Sequence, residues 1–281
     1  MGTRLIDSPQ RLTLEEGVSQ LDVWLVHGKL HVVGTDGPAR VEVRRVGRKG
    51  ITIRQDNGTL SVCHDVPRGV DGLWSFGLWW LGRRTWTADV IIAVPPTAAA
   101  SLTMIAGDVV ASGLRNRASA DVTSGSIAVM GLGGDVRTKT VSGSIEAVGV
   151  SGALSMETVS GEISLAGSSA DRVHARTISG SVTCDLDNPL ARDVHINTVS
   201  GSITVRVPED ADLSVELTAT SGSVTSAFAA VPTISGYGVH TANGRMGSGS
   251  GRLRAHAISG SVSLLASPAG DRDPAEGGLA A

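Results

Sequence analysis

The tetrapeptide Ser142-Gly143-Ser144-Ile145 returns along the chain almost unchanged, and its spacing limits the fold more than any other feature. Ser-Gly-(Ser/Glu)-(Ile/Val) occurs with glycines at Gly125, Gly143, Gly161, Gly180, Gly201, Gly222 and Gly260. Two weaker copies, IAGDV with Gly107 and ANGRM with Gly244, fill out the series. The intervals are then 18, 18, 18, 19, 21, 21, 22 and 16 residues. A near-constant period with small insertions is the signature of a solenoid, in which each repeat adds one rung.

The rungs read as strands. Two residues after the glycine stand Ile127, Ile145, Ile163, Val182, Ile203, Val224 and Val262, and four after it Val129, Ala147, Leu165, Cys184 and Val205. This alternation has period two. Before the glycine, positions −7 and −5 are apolar in most copies, as in Leu154/Met156 and Val194/Ile196. Position −2 is β-branched in Val141, Val159, Ile178 and Val199. If those residues also point inward, the inward parity changes between −5 and −2, and Thr-Val-Ser-Gly is a bend. Glycine supplies the backbone freedom for such a corner.

The prediction is an all-β fold, a parallel β-solenoid of about 40 Å for nine rungs at the ~4.8 Å strand spacing. A stacked register also explains position −4, where consecutive repeats carry Asp121, Lys139, Glu157 and Arg176. Signs alternate, and opposite charges on adjacent strands contribute ~0.2–1 kcal/mol.

The rest of the chain divides around this array. Residues 1–19 read as an N-terminal arm. Residues 20–100 read as an irregular antiparallel β cap at the N-terminal end, with a Trp-rich loop and the lead-in strand TADVIIAVP. The repeats occupy 101–266, and the Pro/Gly-rich, charged stretch 267–281 reads as a disordered tail. A core with only two Phe and one Tyr must be built from Val, Ile, Leu and Ala, which suits a thin interior.

The stretch VHGKLHVVGTDGPARVEV, the strand ending in AVPPTA and the serial TVSGSI and TVSGEI units resemble a bacterial family of adhesin-like β-solenoid domains. That family is related to the head GIN domain of autotransporter adhesins. The resemblance covers residues 20–265. It implies a right-handed parallel β-solenoid, a cell-envelope or stress-response setting, no established catalytic activity and no active-site residues to carry over.

Chemistry is sparse. Two cysteines are too few for a disulfide framework. A net charge of −3 gives no bulk signal for nucleic acid. The N-terminus lacks an apolar signal region, and no stretch approaches the ~20 apolar residues of a spanning helix. A cytoplasmic protein, at most peripheral to a membrane, is the expectation. Scattered Asp and Glu do not form the carboxylate pair of a glycosidase, ~5–9.5 Å apart. His174, His195 and Glu216 share position −6 of consecutive repeats, a row that is either solvated or a weak metal or pH-responsive site. Arg44, Arg45, Arg48 and Lys49 mark a basic hairpin tip. No cofactor, resident metal or small-molecule substrate is called for.

One stretch breaks the pattern. DGLWSFGLWWLGRRTW, residues 71–86, holds Trp74, Trp79, Trp80 and Trp86 beside Arg83 and Arg84. It reads as a plug over the end of the thin core, as a partner-binding loop, since Trp and Arg are enriched in binding hot spots, or as a segment entering a membrane surface. A non-catalytic scaffold or binding module that presents this loop to a protein or envelope partner is the functional expectation. The alternatives are a carbohydrate-active β-helix enzyme and a self-assembling structural protein.

Overall fold

Residue parity decides which side chains fill the interior, and the turn from one face to the next falls at the repeat glycine itself. The computed structural model describes residues 2–14, 17–64, 85–186, 193–236 and 238–267. Within them, twenty-three strands join a single sheet and no helix occurs. In Asp135–Ser142, positions −7, −5 and −3 (Val136, Thr138, Thr140) are buried. After the corner, Ile145 and Ala147 are buried in turn. Inward parity therefore runs unbroken from −7 to −3 and changes only across Ser142-Gly143-Ser144. The β-branched residues at −2 do not face in, as the sequence suggested. They point to solvent, because a bend one residue later leaves the preceding threonine as the last inward position.

Successive repeats lie on one another in parallel register. Val136, Lys139 and Ser142 stand on Leu154, Glu157 and Ser160, and Ile145 on Ile163. The corner glycines stack without a gap: a Cβ on Gly161 would lie 2.0 Å from the carbonyl oxygen of Gly143, at φ +150°. Both the left-handed backbone and the close approach of the next rung demand glycine there. That is why so small a tetrapeptide is repeated.

The parallel stack starts earlier than the sequence indicated. Gln20–Gly34 pairs in parallel with Ala99–Ser112 along its length, with Gly28 on Gly107. Residues 20–34 are thus a complete rung, not part of an irregular cap. Above them lies a split rung, Thr59–His64 on the first half and Thr87–Val94 on the second. His64 ends the first half of this rung and Thr87 begins the second. Antiparallel strands then close this end: Arg40–Val46 on Thr87–Val94, and Ile51–Asp56 on Thr59–His64. Gly2–Ile6 and Gln10–Thr13 add the outermost layer, so the predicted N-terminal arm belongs to the sheet. The hairpin turn at Asn57-Gly58 has φ of 47° and 76°, the positive pair that an Asn-Gly hairpin adopts.

The other end departs from sequence order. Asp193–Ser200 pairs with Gly251–Ser259, and Gly251–Ser259 with Leu213–Ser221. The Gly260 rung is inserted between the Gly201 and Gly222 rungs. Gly244 is no corner. It lies in Val239–Arg245, which runs antiparallel on Leu213–Ser221 and is followed outward by Thr233–Gly236. The outermost strands are short at both ends, Gly2–Ile6 and Gln10–Thr13 at one, Thr233–Gly236 and Val224–Ser226 at the other, and short edge strands limit pairing with another chain.

Candidate functional site

With the −2 residues turned outward, the corner carries an apolar ladder. Val141, Val159, Ile178, Val199 and Ile258 are between 41% and 50% exposed. Ile105 and Thr123 continue the column toward the N-terminal end. Single exposed aliphatics are ordinary, whereas here they are aligned in one column. Beside it runs the charged column at −4, with Asp121, Lys139, Glu157 and Arg176 on successive rungs, as the sequence spacing required. Between the two columns lies a groove of about 460 Å³, floored by Val122, Thr140 and Thr158.

The charges beside the groove are partly engaged. Lys139 Nζ lies 2.9 Å from Glu157, and Arg137 approaches the same carboxylate at 3.4 Å. The hydrogen bond from Lys139 holds the Glu157 carboxyl below its usual range, against a smaller opposing effect of burial. The positive charges of Lys139, Arg137 and His174 add to this.

Of the predicted partner-binding residues, Trp74, Trp79, Trp80, Arg83 and Arg84 lie outside the described residues. Trp86 is half-buried against the split rung. Its ring meets His64 edge-on, centroids 5.9 Å apart, and Lys49 Nζ lies 5.8 Å from its centre. The imidazole of His64 is buried and accepts the Val26 amide through Nδ1 at 3.2 Å. Burial pushes its pKa down to about 4. Val26 occupies position −2 of the Gly28 rung, so His64 sits beside the same corner that bears the apolar ladder.

The histidine row is rearranged by the inserted rung. His174 does stand beside His195, but Arg254 comes next and Glu216 lies beyond it. Arg254 bonds Glu216 at 3.2 Å, and His195 Nε2 meets Asp193 at 2.9 Å. Among the described residues, no group of three or more His, Cys, Asp or Glu could hold a metal ion. At the basic tip, Arg44 pairs with Glu42 and Arg45 with Asp89, both at 3.0 Å. Cys184 is buried within the repeats, and burial followed by the nearby Asp185 charge pushes its thiol up to about 12.

The ladder could have been found in the sequence. Thr140, Thr158, Thr177 and Thr198 form as regular a column at −3 as the β-branched residues do at −2. They extend the −7, −5 parity without a break.

Several solved structures are distantly similar to the chain. A candidate adhesin from Bacteroides fragilis is 13% identical, with 93% of this chain and 97% of that one covered and a TM-score of 0.49. A candidate lipid-binding protein from Parabacteroides distasonis is 11% identical, with 92% and 96% covered and a TM-score of 0.42. A candidate cell adhesion protein from Clostridium sporogenes is 13% identical, with 92% and 100% covered and a TM-score of 0.26. No curated protein matches the sequence. The profile of the Toastrack DUF4097 family matches residues 40–265, and the chain belongs to that family.

Proposed function

We propose that the chain is a non-catalytic parallel β-solenoid that serves as a binding module, with the outward corner as its contact face. The observation that carries this reading is the column Val141, Val159, Ile178, Val199 and Ile258, exposed side by side on a rigid parallel ladder. A stacked backbone fixes their spacing at ~4.8 Å, so little conformational entropy remains to be lost on binding. Of the three groups with strongly shifted protonation, His64 and Cys184 are walled into the interior and Asp212 is held by the hydroxyls of Ser248 and Ser250, so each serves packing or a loop contact rather than chemistry. The Trp/Arg stretch Trp74, Trp79, Trp80, Arg83 and Arg84 is a further contact element in this reading, since Trp and Arg are enriched in binding hot spots. An adhesin-like contact with a protein at the cell envelope fits this arrangement.

Paired substitutions test the reading. Val159→Asp with Ile178→Asp places charge in the ladder at exposed positions and is expected to leave the circular dichroism spectrum and melting temperature near those of the wild type. Proteins crosslinked to the chain in its native cells should be lost with this variant. An unchanged crosslinked set from a folded variant would remove the ladder from the function.

A further inference from the structure

After a half-turn the charged column of this corner is complementary to itself and the apolar column falls on itself, and we propose that the face binds a second copy of this chain, rods antiparallel. The inference rests on the reading of the corner as a binding face and names its occupant. The symmetry axis lies along the strand direction, midway between the Gly143 and Gly161 rungs. The −4 column reads Asp121, Lys139, Glu157, Arg176 on consecutive rungs. A half-turn about that axis sets Lys139 against Glu157 of the second copy and Asp121 against its Arg176. Every charge then meets its opposite. The same operation lays the −2 column on itself, Val141 on Val159 and Thr123 on Ile178.

Other orientations do worse. A half-turn about the rod axis, between the two columns, would place charge over apolar side chains. An unrotated copy cannot set this face against itself; it would meet the opposite side of the rod and form an open-ended series. The self-complementary operation is closed and isologous, the commonest form of soluble oligomer. Its central contact occurs twice per dimer. Six rungs span roughly 24 Å at ~4.8 Å each, and two outward columns are narrow. The buried area therefore falls below the ~800 Å² per partner of a stable complex. A weak dimer follows, forming in the micromolar range and loosened by salt, because its charges are rim-exposed.

Two single reversals test this without confusing folding with association. Lys139→Glu sets Glu against Glu157 across the axis, twice per dimer, and Glu157→Lys sets Lys against Lys139. Each variant alone should stay monomeric in sedimentation velocity where the wild type dimerises, with affinity weakened about tenfold or more, since 1.4 kcal/mol is a factor of ten. Mixed in equal amounts, the two should dimerise again. In the mixed dimer each Glu meets a Lys, although the internal Lys139–Glu157 bridge is broken in both chains. Recovery in the mixture cannot come from repaired folding. A mixture that stays monomeric beside a dimeric wild type would overturn the proposed register. A wild type that is monomeric throughout would overturn the second copy as occupant, and the crosslinking test above would still decide whether the face binds a foreign protein.

Discussion

Gly260 rests on Gly201, although the Gly222 repeat lies between them in sequence. A Cβ on Gly260 would sit 1.9 Å from the Gly201 carbonyl oxygen, and one on Gly222 would sit 2.0 Å from that of Gly260. At φ +143° the backbone itself also disfavours a side chain. Gly260→Ala should therefore cost more than ~3 kcal/mol, since relief requires two backbone layers to separate. Gly236→Ala is the control. It has open space around it and should fall within ~0.5 kcal/mol of the wild type. Urea unfolding of both variants measures the difference.

The insertion makes the last three rungs one unit. Leu253 is fully buried and stands between Val194 and Val215 in the stack. Leu253→Ala should cost ~2–5 kcal/mol, as for other large-to-small core changes. Its particular consequence is regional. Amide exchange should accelerate together in 213–226 and 251–267, because the outer rung reaches the stack only through the inserted one. Protection in 101–186 should change little. Acceleration confined to 251–267 would show that the Gly222 rung holds its place independently.

Much of this fold was legible because a stacked repeat writes one column of the structure at one position of the period. The inward residues at +2 and +4 and the charge row at −4 follow directly from that. Rung order does not. Periodicity says which residues share a column but not which repeat lies beside which, and that depends on a distant connection. The spacing from Gly222 to Gly260 was filled by Gly244, which lacks the serine before it and the β-branched residue two after it. The Gly28 rung escapes the repeat motif for the opposite reason. Its corner is His27-Gly28-Lys29, without serine, yet Leu30 and Val32 keep the +2 and +4 positions. Residue type alone does not orient the −2 ladder, because β-branched residues suit an exposed strand position as well as an interior one.

The inward threonines offer a route to greater stability. The hydroxyls of Thr177 and Thr198 are buried without a hydrogen-bond partner among the described residues. A buried hydroxyl that lost its water without replacement costs ~1–3 kcal/mol, and valine keeps nearly the same shape. Thr177→Val should raise stability by about 1 kcal/mol and the melting temperature by a few degrees. A destabilised variant would mean that the hydroxyl is bonded in solution, for example through water.

Acid should weaken the protein in two separate windows. His64 titrates near 6.5 when exposed and is pushed down to about 4 by burial. Between those values the unfolded chain takes up a proton that the folded one refuses. Stability is therefore complete above pH 6.5, declines as pH falls toward 4, and levels off below that. The total loss is on the order of 3 kcal/mol, at 1.36 kcal/mol per unit. The carboxylates act lower. Asp212, held down to about 2 by the hydroxyls of Ser248 and Ser250, loses its contribution only as pH falls from 3.8 toward 2. Chemical unfolding at a series of pH values should show a slope between 6.5 and 4 in the wild type. His64→Gln should remove that slope and keep the lower one. A wild-type curve flat between pH 6.5 and 4 would mean that His64 becomes protonated within the fold.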